Sequence, residues 1–433
     1  MQGLHLFVAG FLALSFVAQA QDSYKVSGYV TAVQPFGAFD LEGVHIHLTP
    51  TTEFRTRIGG AVSKVPASRP ATFYVGETLD AIGRLDRTSH TLAAAQIVLV
   101  PPSPASVSGI AIIDLIPPAS ASASAAQPTT DRLVRADGFL LHITAKTKLN
   151  FADPLKSISD IATNQWIDYS GVQQLDGAVL LDYAGIGPNK VNHTEEKIRT
   201  KSDYDPSAVP DDSHQSGVSK TFTGVDARKI PPYHNEDMQA RVERIGQSLI
   251  PAYQRALPDS DPTKIHFRFQ LIDSTESHYA LTAPSGVVLV PREVVERMQN
   301  DDQLATVLAD NIAVAFEKEG LRSITANTVR SIAAGAITAG VILLGPAEFF
   351  GGLIAEDHAS KAIDRTIQQS GRVSLCLLHD AGYDIAQAPL AWWLLAPKKP
   401  ASIDRIKMPP RAATLYVALG TTWHPAAEPA QLP

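Results

Sequence analysis

The chain has a single cysteine, Cys376, so no disulfide forms within it and packing alone must hold the fold together. That thiol sits among Leu375, Leu377 and Leu378 and reads as a small buried hydrophobe rather than a nucleophile. Aromatic residues reach only 7% and tryptophan and methionine number four each, so any core is built mainly from aliphatic side chains and alanine. Charge is also sparse, at 19% of residues, and acids outnumber bases for a net charge of -7. A clustered basic face, which nucleic-acid binding requires, is therefore not expected. No Ser-His-Asp set, nucleophile elbow, phosphate-binding loop or dinucleotide fingerprint is visible. Gly335, Gly340 and Gly345 follow no strand and read as close helix packing.

What is present is a globular composition, 45% hydrophobic over 433 residues, too long for one ordinary domain. Residues 4–17 are apolar, and Ala18-Gln19-Ala20 follows as a small-x-small cleavage site. Residues 1–20 thus read as a secretory signal, although no Lys or Arg precedes the apolar core and only His5 stands near its start. Export to the periplasm or the extracellular space is the expectation. A second apolar stretch, residues 331–347, is shorter than the roughly 20 residues of a membrane span and reads as a buried helix or helical hairpin.

An internal repeat organises the N-terminal half. Val26-Ser27-Gly28 opens a segment that recurs at Val107-Ser108-Gly109. HIHLTPTTEFR (45–55) in the first copy answers LLHITAKTKLNF (140–151) in the second. Each copy closes with two alternating apolar runs whose turns hold Leu85-Asp86 and Leu175-Asp176-Gly177. Residues 24–101 and 106–187 are therefore expected as two small all-β units of about five strands each, closed to hide their edges. They resemble an OB-like domain of unknown function found in secreted bacterial proteins. PPASASASAAQP (117–128) is a low-complexity insertion. His45 and His47 share a strand face, but without a third ligand nearby they read as exposed strand histidines. Residues 188–234, rich in charge, Pro and Ser, read as a polar linker, and the acceptor pattern at Asn192-His193-Thr194 carries no weight there.

From Asn235 the period becomes helical. Met238, Val242, Ile245, Leu249 and Tyr253 line one face of a helix stopped by Pro258. Two strands, at 266–273 and 286–291, come next, then two helices joined at Asn300, a candidate N-cap. The order RVERIGQSL, FRFQLID, HYALTAPSGVVLVPREVVERM, NDDQLATVLADNIAVAF and, later, DRTIQQSGRVSLCLLHDAGYD resembles metallopeptidase family forty-eight, the HtpX and CAAX-prenyl-protease class. The resemblance covers about residues 236–395 and implies a mainly α, α+β gluzincin-like domain, expected over 235–425.

In that family the "vLa" lead-in runs into His-Glu-x-x-His, two zinc ligands one turn apart with a general base between them. In this chain Leu308-Ala309 runs into Asp310 at the first ligand position, Asn311 at the base and Val314 at the second ligand. Counting back from Ala381 puts the third ligand at Ile367, with Glu356, Asp357, His358 and Asp364 as conceivable substitutes. Val offers no lone pair, and Asn is not a base. The resemblance therefore implies a non-catalytic homologue with no cofactor, an exported scaffold or polypeptide-binding protein whose groove would take an extended chain by strand addition. An envelope protein or polypeptide is the expected partner, and a peripheral membrane contact is compatible with export. The alternative is an active zinc endopeptidase of the same family with substituted ligands.

Overall fold

Two buried threonines show how the repeat folds. Thr52 accepts a hydrogen bond from the Thr49 amide at 2.8 Å and donates to the Ala94 carbonyl at 2.7 Å. Thr147 does the same in the second copy, accepting from the Thr144 amide at 2.9 Å and donating to Leu181 at 2.9 Å. Each hydroxyl thus satisfies the amide three residues before it and ties its segment to a carbonyl of the last strand of its unit. The structure is a computed structural model. It describes residues 23–34, 38–118, 131–203, 205–208, 230–273, 279–318, 356–396 and 408–424. The apolar stretch 331–347, the expected signal and most of the 117–128 insertion lie outside these residues.

The first unit contains β1 (Tyr24–Val33), β2 (Phe39–Leu41), β3 (Val44–Ile58), β4 (Ala61–Val62), β5 (Thr78–Asp86) and β6 (Thr91–Leu99). The second contains β7 (Ala105–Leu115), β8 (Arg132–Ala136), β9 (Phe139–Ile143), β10 (Lys148–Phe151), β11 (Gln165–Gln173) and β12 (Val179–Pro188). The ring order β1-β2-β3-β6-β5 in the first is matched by β7-β8-β9-β12-β11 in the second, so both are closed five-stranded barrels. In each ring one pair runs parallel, β3 with β6 and β9 with β12, while the rest run antiparallel. The same arrangement arising twice, with its own apolar core each time, accounts for the sequence repeat. β4 lies outside the first ring, as the return strand of a hairpin that extends β3.

The C-terminal region is mainly helical. Its elements are α1 (His193–Ser202), α2 (Glu236–Leu249), α3 (Ala252–Ala256), α4 (Arg292–Arg297), α5 (Asp301–Phe316), α6 (Glu356–Asp380), α7 (Ala388–Leu395) and α8 (Pro410–Thr421). A small sheet, ordered β13 (Arg268–Ile272), β15 (Val287–Pro291), β14 (Leu281–Thr282), packs beside them. Two sequence expectations need correction. The helix expected to run as far as Tyr253 stops at Leu249, because Pro251 interrupts it, and resumes as the short α3. The expected linker contains a helix, α1, which Asn192 caps by accepting from the Glu195 amide at 3.0 Å. Glu195 is then buried against Lys318 at 2.9 Å, a tie invisible in the local charge pattern. Among the described residues no helix is long and apolar enough to cross a membrane.

Both barrels are docked on the helices. Arg135 of β8 bridges Asp114 at 2.7 Å and Asp380 of α6 at 2.5 Å, and Arg372 of α6 pairs with Asp137 of the β8–β9 turn. The first barrel meets α8: Tyr29 stacks on Tyr416 with ring centroids 5.9 Å apart. Gly76 approaches the same helix so closely that a Cβ there would lie 2.6 Å from the Tyr416 carbonyl oxygen, and its φ of +93° also excludes most side chains. Next to it, burial pushes the Glu77 carboxyl up to about 7, against the opposing effect of a hydrogen bond from the Tyr74 amide. One Glu77 oxygen is buried without a hydrogen-bond partner.

This carboxyl is raised above its unfolded value of 4.5, so the folded chain binds the extra proton between that pH and about 7. Stability is then highest at the acid end of the window and is lost as pH rises through it. Urea unfolding of the wild type should show roughly 2–3 kcal/mol less stability from this group at pH 8 than at pH 4.5. In Glu77→Gln that part of the slope should vanish; an unchanged slope would assign the pH dependence to other groups.

Candidate functional site

α5 opens with Asn300 as its cap, which accepts from the Gln303 amide at 2.9 Å, and Asp301 and Asp302 sit favourably at the positive end of the helix dipole. Every residue from Gln303 to Phe316 is buried. A helix apolar nearly all round belongs at the centre of a core, and α5 packs against α2, α6, α7 and β14. Asp310, Asn311 and Val314 all lie on it. So does Glu317 just past its end: Asp310, Val314 and Glu317 are spaced i, i+4 and i+7 and share one face.

Each polar group at these positions already has a partner. Asp310, with its side chain 6% exposed, forms an ion pair with Arg411 of α8, itself 6% exposed. The Arg411 guanidinium lies over the Trp392 ring of α7, 4.6 Å from its centroid. Asn311 donates to the Val307 carbonyl of its own helix at 2.9 Å, so its amide faces back along the helix. Val314 is buried. Glu317 accepts from the Ile112 amide of β7 at 3.1 Å and from the Gln369 side chain of α6 at 3.3 Å. Gln369 in turn donates to the Ile110 carbonyl at 3.0 Å. β8 pairs with β7 only at Ile113 and Leu115, so Ile110 and Ile112 lie on an edge of the strand that these two side chains satisfy.

The other sequence candidates are placed as follows. Ile367 lies on α6 and is 5% exposed, and α6 packs along α5. The partner that meets Asp310 nevertheless comes from α8. Glu356, Asp357, His358 and Asp364 fall on the first turns of α6, ahead of the residues whose side chains are described. His45 bonds Asp40 at 2.9 Å, and His47 is exposed on β3. The Cys376 thiol is buried and pushed up to about 12, chiefly by desolvation, which leaves it unreactive. Among the described residues, no three His, Cys, Asp or Glu side chains converge as a metal would require. Arg411, Glu317 and Gln369 were not among the sequence candidates. The available signal was a lone arginine in a largely apolar helix, and charged residues directly after another largely apolar one.

No family model and no curated protein matches the chain. The site therefore has to be read from its own chemistry. A carboxylate buried against a guanidinium is costly to strip of its partner, because the survivor stays uncompensated in a medium that cannot solvate it. Asp310→Ala or Arg411→Ala should each destabilise the chain by about 3–5 kcal/mol in urea unfolding. The double change Asp310→Leu with Arg411→Met should recover most of that loss, since an apolar pair of similar volume needs no desolvation. Additive losses in the double variant would show that the two groups act independently.

Proposed function

We propose that the chain is an exported, non-catalytic protein with the architecture of a gluzincin-like metallopeptidase, in which the helix that would carry zinc serves as the central strut of a scaffold. The observation that supports this most is the commitment of Asp310 to Arg411. A zinc ligand needs a free lone pair directed at an open site, whereas this carboxylate is held by a buried cation. The base position is equally committed, since the Asn311 amide is turned back on its own helix. Glu317, on the same face one turn beyond Val314, holds the second barrel in place. A face occupied in this way by the chain's own α8 and β7 favours a scaffolding role over capture of an extended polypeptide against α5.

The measurement is zinc content and proteolysis on the purified protein. Elemental analysis should find less than stoichiometric zinc, and casein should remain intact. Asp310→His, Asn311→Glu and Val314→His, singly or as pairs, should leave both results unchanged, because the ligands of one coordination sphere act as a unit. Even the triple change with Ile367→Glu should gain zinc only when Arg411 is also replaced, since that guanidinium would sit beside the new imidazole. Chelator-sensitive peptidase activity in the unmodified protein would overturn this reading in favour of an active enzyme with substituted ligands.

A further inference from the structure

Among the described residues, the two most exposed large apolar side chains belong to one hairpin and the chain just after it, far along the sequence from α5. Strand β3 runs past the first barrel and turns back into β4 at Gly59 and Gly60, whose φ values of +55° and +84° make a tight hairpin turn. The tip reads Ile58-Gly59-Gly60-Ala61-Val62 and contains no polar side chain. Ile58 is 69% exposed and Val65 is 71% exposed, with Val62 at 44%. The hairpin is firmly held: the Ser63 amide donates to the Thr56 carbonyl at 2.8 Å and the Ala67 amide to Phe54 at 2.8 Å. Fixed exposure of apolar surface on a soluble unit calls for an occupant.

Charge says which occupant fits. Between Glu53 and Glu77 there is no acidic residue, while Arg55, Arg57, Lys64 and Arg69 are all basic, in a chain whose net charge is -7. Arg57 is taken by Asp80 and Arg55 by Glu53 and the Lys64 carbonyl. Lys64 and Arg69 are exposed and hold no partner among the described residues. Nucleic acid is disfavoured because residues 55–72 contain no aromatic side chain on which a base would stack. Strand addition by a polypeptide is disfavoured because β4 is two residues long and Pro66 and Pro70 follow it. An apolar tip followed along the chain by two exposed cations, Lys64 and Arg69, matches a membrane interface, with the tip among the acyl chains and the cations at the headgroups. We propose that the β3–β4 hairpin docks the first barrel on an anionic lipid surface.

The test is cosedimentation of the full chain with phosphatidylcholine vesicles, with and without phosphatidylglycerol. Two variants accompany it, Ile58→Asp with Val65→Asp, and Lys64→Gln with Arg69→Gln. All four positions are exposed, so melting curves should match the wild type. Wild type should bind the anionic vesicles and not the neutral ones, and added salt should weaken that binding. Each cation at the surface is worth about fivefold, so the charge variant should bind about 25-fold more weakly. The apolar variant should lose binding by more than about tenfold. Absence of wild-type binding, or binding that survives both variants, would overturn the proposal. So would light scattering that shows a dimer which the apolar variant dissociates, because a second copy would then be what covers the tip.

Discussion

One buried face of α5, carrying Asp310, Val314 and Glu317, ties the molecule together. At its start Asp310 fixes α8 through Arg411, and at its end Glu317 fixes β7 and α6. Because α8 also receives the first barrel at Tyr416, both barrels are positioned by contacts that lead back to this single helix. The constraint is electrostatic as much as steric. Each of these carboxylates sits where water is scarce, so each must keep its partner, and the partner's element must stay where it is. Packing against such fixed points turns three separately cored units into one framework.

This arrangement also explains why the polar residues on α5 are not free for chemistry. A catalytic metal site keeps an open coordination position and a base within reach of it. The described part of the α5 face has neither, since its acceptors are bound by a guanidinium, a backbone amide and a side-chain amide. Surface exposure is found elsewhere, chiefly on the hairpin that projects from the first barrel. Among the described residues the two most exposed large apolar side chains, Val65 and Ile58, belong to the first β unit.

Much of the architecture was legible in the sequence because it rests on local pattern. The paired Val-Ser-Gly openings and the matching segments 45–55 and 140–151 reflect strands that must close the same ring twice. Asn300 was readable as a cap because its chemistry is satisfied within three residues. The partners of α5 were not readable, since Arg411 lies 101 positions from Asp310 and Ile112 lies 205 from Glu317. α1 was missed for a related reason: its sequence is polar, and what holds it is the burial of Glu195 against the distant Lys318. The strand β14 escaped notice because two residues carry no period. The family resemblance singled out Asp310, Asn311 and Val314, but only the tertiary contacts show what these residues bind, Arg411 for Asp310 and the Val307 carbonyl for Asn311.

Native-state hydrogen exchange along α5 tests the central claim most directly. A helix that holds the framework together should open only when the whole chain unfolds, so the amides of residues 305–316 should exchange with the free energy of global unfolding, and added zinc should not slow them. Exchange of those amides through a local opening well below the global free energy, or slowing by zinc, would contradict the account and mark α5 as part of a working site.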